Sequence, residues 1–241
     1  MNQIYRFNPT KERLRENYLA VLDRIQAAAS RSARLSSDIQ LIGVTKYVDN
    51  SVARWLAELG CNQLAESRPQ ALWEKAAALA NLPVKWHLIG HLQRNKAKRT
   101  LEIVSTMHSL DSARILEQIQ QDTLKREIPL QLLLEINISG TPEKTGMLAA
   151  EAAVLLEHWV NKSHEFSNLA VVGLMGMGTL DGGPSRTRRD FESLRELRDD
   201  WAGRFGIPLR ELSMGMSDDF EIAIEEGATM VRLGSTLFAD N

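Results

Sequence analysis

The feature that most constrains this chain is a rhythm. Eight short β-rich runs recur at regular intervals: "IQLIGVT" (39–45), "NQLAE" (62–66), "KWHLIG" (85–90), "STMHSL" (105–110), "LQLLLEINI" (130–138), "LAVVGLMGM" (169–177), "ELSMG" (211–215) and "TMVRLGS" (229–235). Between them lie helical patterns, among them "NSVARWLAELG", "PQALWEKAAALA", "SARILEQIQQDTLKRE" and "LAAEAAVLLEHWV". The run at 130–138 is apolar on both faces, as a strand covered by helices on both sides must be. Strict alternation of β and α elements implies a parallel sheet. Eight units in 241 residues match a (β/α)8 barrel, or TIM barrel, with one extra helix in front. The rival is a doubly wound open sheet, which predicts a glycine fingerprint after the first strand. "GVTKYVDNS" has none.

The extra helix is read from "NPTKERLRENYLAVLDRIQAAASRSARL", with Asn8 as its cap and Pro9 in its first turn. Leu14, Tyr18, Val21, Leu22 and Ile25 form its apolar stripe. In the next helix Asn50 is the expected cap and Gly60 the stop. No linker or composition shift divides the chain, so one domain over 1–241 is expected.

Composition narrows the function. Net charge is −2, which gives no global field toward nucleic acid or an anionic membrane. Cys61 is the only cysteine, so no internal disulfide forms and a reducing compartment is indicated. "MNQIYRFNPTKERLREN" has no apolar core of a secretory signal, and no stretch approaches the ~20 apolar residues of a membrane span. A cytoplasmic protein is expected.

Barrel sites lie at the C-terminal ends of the strands. Two features stand there. Lys46 follows the first strand, and a lysine at that place can capture a carbonyl as a Schiff base. The ends of the seventh and eighth strands, "SMGMSDD" and "RLGSTLF", are small Gly/Ser turns whose bare N–H groups suit a phosphate. The lysine is expected on the opposite side of the mouth from those turns. Together they describe a ligand with an aldehyde at one end and a phosphate at the other. Pyridoxal phosphate (PLP) fits, and so does a phosphorylated sugar in an aldolase.

Other candidates are weaker. His87 and His91 are four apart, but the "IG" between them ends a strand, so they do not share a helical face for zinc. Asp218, Asp219 and Glu221 are explained by helix capping and the helix dipole. The five tryptophans are scattered and form no stacking platform for bases. The arginine-rich "SRTRRDFESLRELRDD" reads as a solvated helix with Glu–Arg pairs, with an interaction surface as its alternative.

Several motifs run in order along nearly the whole chain: "VTK" (44–46), "WHLIGHLQRNK" (86–96), "INISGTPEKTG" (136–146), "GLM" (173–175), "LSMGMSDDFEIAI" (212–224) and "VRLGSTLF" (231–238). By these the chain resembles the PLP homeostasis protein family, also called YggS-like or proline synthase co-transcribed proteins. The resemblance implies a barrel similar to the N-terminal domain of alanine racemase, a fold-type III PLP site, and PLP held as an internal aldimine. By position Lys46 is the aldimine lysine. Ser213, Gly234 and Ser235 match phosphate-holding residues, and Met216 lies in the same turn. Arg232 matches the arginine at the pyridine nitrogen and Met175 the residue beside the ring. His87 and Asn137 are expected to line the same mouth. Ser67 stands where the family often has asparagine, which puts that one contact in doubt.

The resemblance also implies a carrier or buffer of PLP that affects amino-acid and keto-acid metabolism indirectly. Arg232 offers only donors, so a pyridine nitrogen facing it stays unprotonated and PLP is a weak electron sink. Racemisation also needs a second base, which alanine racemase takes from a second domain and a partner subunit. With the sequence ending at Asn241 and tyrosines only at 5, 18 and 47, no equivalent is expected, and a monomer follows. The alternatives are a PLP-dependent amino-acid racemase and a regulatory interaction module. Expected partners are PLP itself and PLP-accepting enzymes or a regulatory protein, with neither nucleic acid nor membrane.

Overall fold

The structure is a computed structural model and describes residues 6–140, 145–179 and 182–240. Eight strands run β1 (Gln40–Val44), β2 (Gln63–Glu66), β3 (Lys85–Leu88), β4 (Val104–Leu110), β5 (Leu130–Glu135), β6 (Leu169–Met175), β7 (Glu211–Ser213) and β8 (Met230–Leu233). All pair in parallel and in chain order, and β8 returns to β1 to close the barrel. The β1–β8 ladder runs from Gln40↔Met230 to Gly43↔Leu233, which excludes the open sheet.

Helices between the strands form the outer ring: α2 (Asn50–Glu58), α3 (Pro69–Ala78), α4 (Arg94–Leu101), α5 (Ala113–Thr123), α6 (Ala149–Asn161), α7 (Gly183–Phe205) and α8 (Phe220–Glu225). The extra helix α1 (Lys11–Arg31) packs on α8 and on the short closing helix α9 (Ser235–Phe238). Its cap is Thr10, which accepts from the Arg13 N–H at 3.1 Å, and not Asn8. Pro9 is buried two residues further out than a first-turn proline stands. Asp49, accepting from the Val52 N–H at 2.9 Å, likewise replaces Asn50 as the cap of α2. In both cases the acceptor oxygen sits on the last residue still in the extended region, which is what capping requires.

Two hydrophobic clusters separate by position. The large one fills the space between barrel and helices. The small one, Ile42, Val44, Ala65, Leu133, Met175 and Met230, lies within the barrel. That lumen is only partly apolar: His87, Thr106, His108, Ser213 and Arg232 are buried as well. Each such polar group must find a partner, since burial without one costs about 1–3 kcal/mol.

The arginines of α7 are used locally. Arg188 pairs with Glu225 and Glu226, Arg195 with Glu226 at 2.8 Å, and Arg186 with Asp190 at 3.0 Å. Those from Arg188 and Arg195 bind α7 to α8 across the bundle, beyond the expected pairs along one helix.

Candidate functional site

A cavity of about 420 Å³ opens at the C-terminal ends of the strands. Its wall contains Lys46, Ser67, Met175, Met216, Arg232, Gly234 and Ser235 from the expected set, with Ile89, His91, Glu135, Met177, Ser217 and Asp218 around them. Arg6 and Phe7, far away in sequence, complete it.

Lys46 is half-buried, two residues past the end of β1, and its Nζ lies 4.9 Å from the centre of the Tyr47 ring. The N–H groups of Arg6 and Phe7 donate to the Tyr47 carbonyl at 2.9 and 3.3 Å, so the N-terminal segment closes the edge beside the lysine. Beneath it lies a buried ion pair. Lys75 from α3 donates to Glu66 Oε1 at 2.6 Å and to the Thr45 carbonyl at 2.8 Å, while the Thr45 hydroxyl donates to the same Glu66 oxygen at 2.7 Å. The ends of β1 and β2, just before Lys46 and Ser67, are thereby fixed to one another. Ser67 is pressed close to β3 because Gly90 has no Cβ; one placed there would stand 2.2 Å from the Ser67 carbonyl oxygen.

The phosphate-like turns adjoin Lys46 rather than face it. Closure makes β1 and β8 hydrogen-bonded neighbours, so the amine and the Gly/Ser turns share one side of the mouth. In the β8–α9 turn the N–H groups of Gly234 and Thr236 both point at the Ser217 hydroxyl, at 3.4 and 3.2 Å. Two backbone donors converging on one oxygen are a geometry that an anion's oxygen can also take. Gly215, at φ 92°, makes the tight preceding turn, and its carbonyl accepts from the Arg232 N–H at 3.0 Å.

Arg232 reaches the cavity from inside the barrel. Its Nη1 donates to the Ser213 carbonyl and hydroxyl, each at 2.6 Å, and its Nη2 to the Gly176 carbonyl at 3.1 Å. Burial lowers its pKa to about 10, opposed by the negative charges of Asp219 and Glu135. It stays cationic at neutral pH and shows the cavity donors only. Glu135, at the end of β5 across the barrel from β1, is buried and held by the Thr145 hydroxyl. Burial raises its pKa, partly offset by that bond and by nearby positive charge.

Three expected residues lie off the cavity wall. Ser213 is fully buried beneath it, its hydroxyl occupied by Arg232 and His108. His87 points into the lumen, 2.9 Å from His108 and 2.8 Å from Gln63, because strand residues alternate faces and position 87 faces the axis below the mouth. Asn137 turns its side chain onto its own loop, accepting from the Ser139 hydroxyl and the Gly140 N–H at 3.0 Å each. Sequence reasoning missed Glu135, His108, Lys75 and the Arg6–Phe7 segment. The first two end or line strands, so the alternation of inward side chains carried a signal for them.

The N-terminal domain model of alanine racemase matches residues 20–241. A pyridoxal phosphate homeostasis protein of Aquifex aeolicus is 38% identical over 225 residues, 93% of this chain and 97% of that one. PipY of Synechococcus elongatus PCC7942, solved with PLP bound, superposes with a TM-score of 0.79 at 29% identity, covering 91% of this chain and all (100%) of that one. Alanine racemase of Clostridium difficile 630 shares the fold at a TM-score of 0.71 and 16% identity, over 94% of this chain and 56% of its own length.

Proposed function

This chain belongs to the pyridoxal phosphate homeostasis protein family, and on that premise we propose that it binds PLP through Lys46 and carries or buffers it without turnover. It thereby acts on amino-acid and keto-acid metabolism indirectly. We read the chain as one domain, working in the cytoplasm as a monomer that passes PLP to accepting enzymes. Among the described residues no helix is long and apolar enough to cross a membrane.

One observation carries the reading. A half-buried lysine, a buried donor-only arginine and the Ser217–Gly234 turn line a single cavity, and in that turn the N–H groups of Gly234 and Thr236 converge on the Ser217 hydroxyl. PLP supplies an aldehyde that condenses with a primary amine and releases water. Lys46 is the amine in reach. The N–H groups of Gly234 and Thr236, with Ser217 and Ser235, suit the phosphate. Arg232 suits the pyridine nitrogen as an acceptor, and Met175 and Met216 offer apolar contact to the ring. Ser67 stands beside the lysine. Ser213, His87 and Asn137, which lie off the cavity wall, are read as supporting this set.

Arg232 also argues for a carrier. A donor opposite the pyridine nitrogen keeps that nitrogen unprotonated, which withholds the electron withdrawal that PLP catalysis draws on. The racemase alternative has one observation in its favour: Glu135 is a carboxyl group across the barrel from Lys46, where a second base could stand. Purified protein incubated with PLP should turn yellow, and borohydride should bleach the colour while fixing the pyridoxyl group covalently on Lys46. A protein that stays colourless defeats the binding proposal. Exchange of amino-acid α-deuterium faster than with free PLP defeats the carrier proposal.

A further inference from the structure

A continuous chain of buried hydrogen bonds runs from the cavity into the barrel. Arg232 Nη1 meets Ser213 Oγ at 2.6 Å, and Ser213 Oγ meets His108 Nδ1 at 2.7 Å. His108 Nε2 meets His87 Nδ1 at 2.9 Å, and His87 Nε2 meets Gln63 Oε1 at 2.8 Å. The residues come from five strands, β8, β7, β4, β3 and β2. We propose that Ser213, His108, His87 and Gln63 form a positioning relay that holds Arg232 in place as a hydrogen-bond donor to the cavity ligand. The proposal rests on the reading of that ligand as PLP, whose ring nitrogen is the acceptor.

The direction of the chain follows from its arginine end. A guanidinium only donates, so Ser213 Oγ accepts from Arg232. The single hydrogen of Ser213 then goes to His108 Nδ1. His108 must be neutral with its proton on Nε2, which it gives to His87 Nδ1. His87 in turn carries its proton on Nε2 and gives it to the Gln63 carbonyl oxygen. Each donor is used once, and one tautomer of each ring satisfies the whole chain. A cationic His108 would put a hydrogen on Nδ1 and leave the Ser213 hydrogen without its acceptor. Burial and the neighbouring positive charges keep both rings neutral, with the His87 pKa lowered to about 3 and that of His108 lowered well below its ordinary value.

Simple filling of the lumen does not account for this arrangement. Barrel interiors are packed mainly by branched apolar side chains, as Ile42, Val44 and Leu133 do here. Five linked polar groups are costly unless every one is satisfied. In the relay they act together to immobilise the Ser213 hydroxyl with its lone pairs toward Arg232. Together with the Ser213 and Gly176 carbonyls, that hydroxyl fixes the guanidinium plane of a residue that lines the cavity.

The test has two independent readouts. Ring nitrogen correlation spectra of the full chain without PLP should show His87 and His108 as neutral Nε2–H tautomers at pH 7. A cationic ring, or an Nδ1–H tautomer at His108, overturns the relay whether or not the protein binds PLP. With PLP added, Ser213→Ala and His108→Leu should raise the Kd about tenfold, the loss of one charge-assisted hydrogen bond. They should also shift the absorption band of the bound cofactor. His108→Gln, whose amide can accept from Ser213 and donate to His87, should restore most of both. A folded Ser213→Ala protein with unchanged affinity and spectrum overturns the proposal. A wild-type protein that takes up no PLP defeats the functional reading instead, and the tautomers still decide the relay.

Discussion

Lys75 Nζ stands 2.6 Å from Glu66 Oε1, and both side chains are shut off from solvent. Glu66 Oε2 has no hydrogen-bond partner among the described residues, so Lys75 and the Thr45 hydroxyl are what compensate this carboxylate. Removing one partner of a buried pair strands the other. Lys75→Met is therefore expected to cost roughly 3–5 kcal/mol, whereas the double change with Glu66→Leu should recover much of it. Urea unfolding of the three proteins measures this. A single variant as stable as wild type would show that the pair does not hold the strand ends.

Lys46 is expected to separate binding from folding. It makes no ion pair among the described residues and is half-exposed. Lys46→Ala should change stability by within about 0.5 kcal/mol while abolishing the pyridoxyl group that borohydride fixes to the chain. Thermal melts alongside absorbance after reduction check both halves.

Two glycines should respond in opposite directions. At Gly215, φ is 92° and an added Cβ would stand 2.6 Å from the Ala223 Cβ and 2.9 Å from the Phe220 Cα. Gly215→Ala is expected to destabilise by more than about 1 kcal/mol and to weaken PLP binding. Gly203 lies inside α7 with nothing within 4 Å of an added Cβ. Gly203→Ala should stabilise by about 0.5–1 kcal/mol and leave PLP binding unchanged.

The two lumen histidines set a sign for pH. Their folded pKa values lie below the ordinary 6.5, so the unfolded chain takes up protons first as pH falls. Their effect on stability is absent above about 6.5 and grows as pH drops toward about 3, the lowered value of His87. Each histidine contributes a loss of up to roughly 1.4 kcal/mol per pH unit. Denaturant midpoints at pH 7.5, 6 and 5 should fall in that order. Replacing His87 and His108 together by leucine should flatten the trend.

Glu135 decides between carrier and racemase. Wild-type protein loaded with PLP should exchange amino-acid α-deuterium no faster than free PLP, and Glu135→Gln should leave that rate unchanged. Exchange above the free-PLP rate that vanishes in Glu135→Gln would give Glu135 the role of a base. Mass spectrometry of recovered amino acids reads the result.

The barrel was legible because its pattern is local. Apolar runs and helix signals repeat, and each names its element without knowledge of the others. Lys46, Gly234 and Ser235 were legible for the same reason, since they follow directly from where strands end. Arrangements that depend on side chains meeting across strands were not. That Lys46 adjoins the Gly/Ser turns follows from β8 pairing with β1, which the expected barrel already required, so placing them opposite was at odds with that fold; that His87 meets His108 depends on the β3–β4 register, which shifts between Trp86 and His87. Lys75 reads in "ALWEKAAALA" as one more polar helix residue, and only the fold places Glu66 beneath it. The caps at Thr10 and Asp49 were missed by one or two residues because several neighbouring side chains could supply the oxygen.

The adjacency of β1 and β8 makes the site a ruler. Gly43 is in register with Leu233; Lys46 stands three residues beyond the first, and Gly234 one beyond the second. The span from the Lys46 amine to the Gly234 turn is thus set by one interstrand spacing and a few residues of chain. On the proposed reading, in which Lys46 takes the carbonyl and the Gly234 turn the phosphate, molecules with the same two groups on a longer or shorter frame should bind more weakly than PLP.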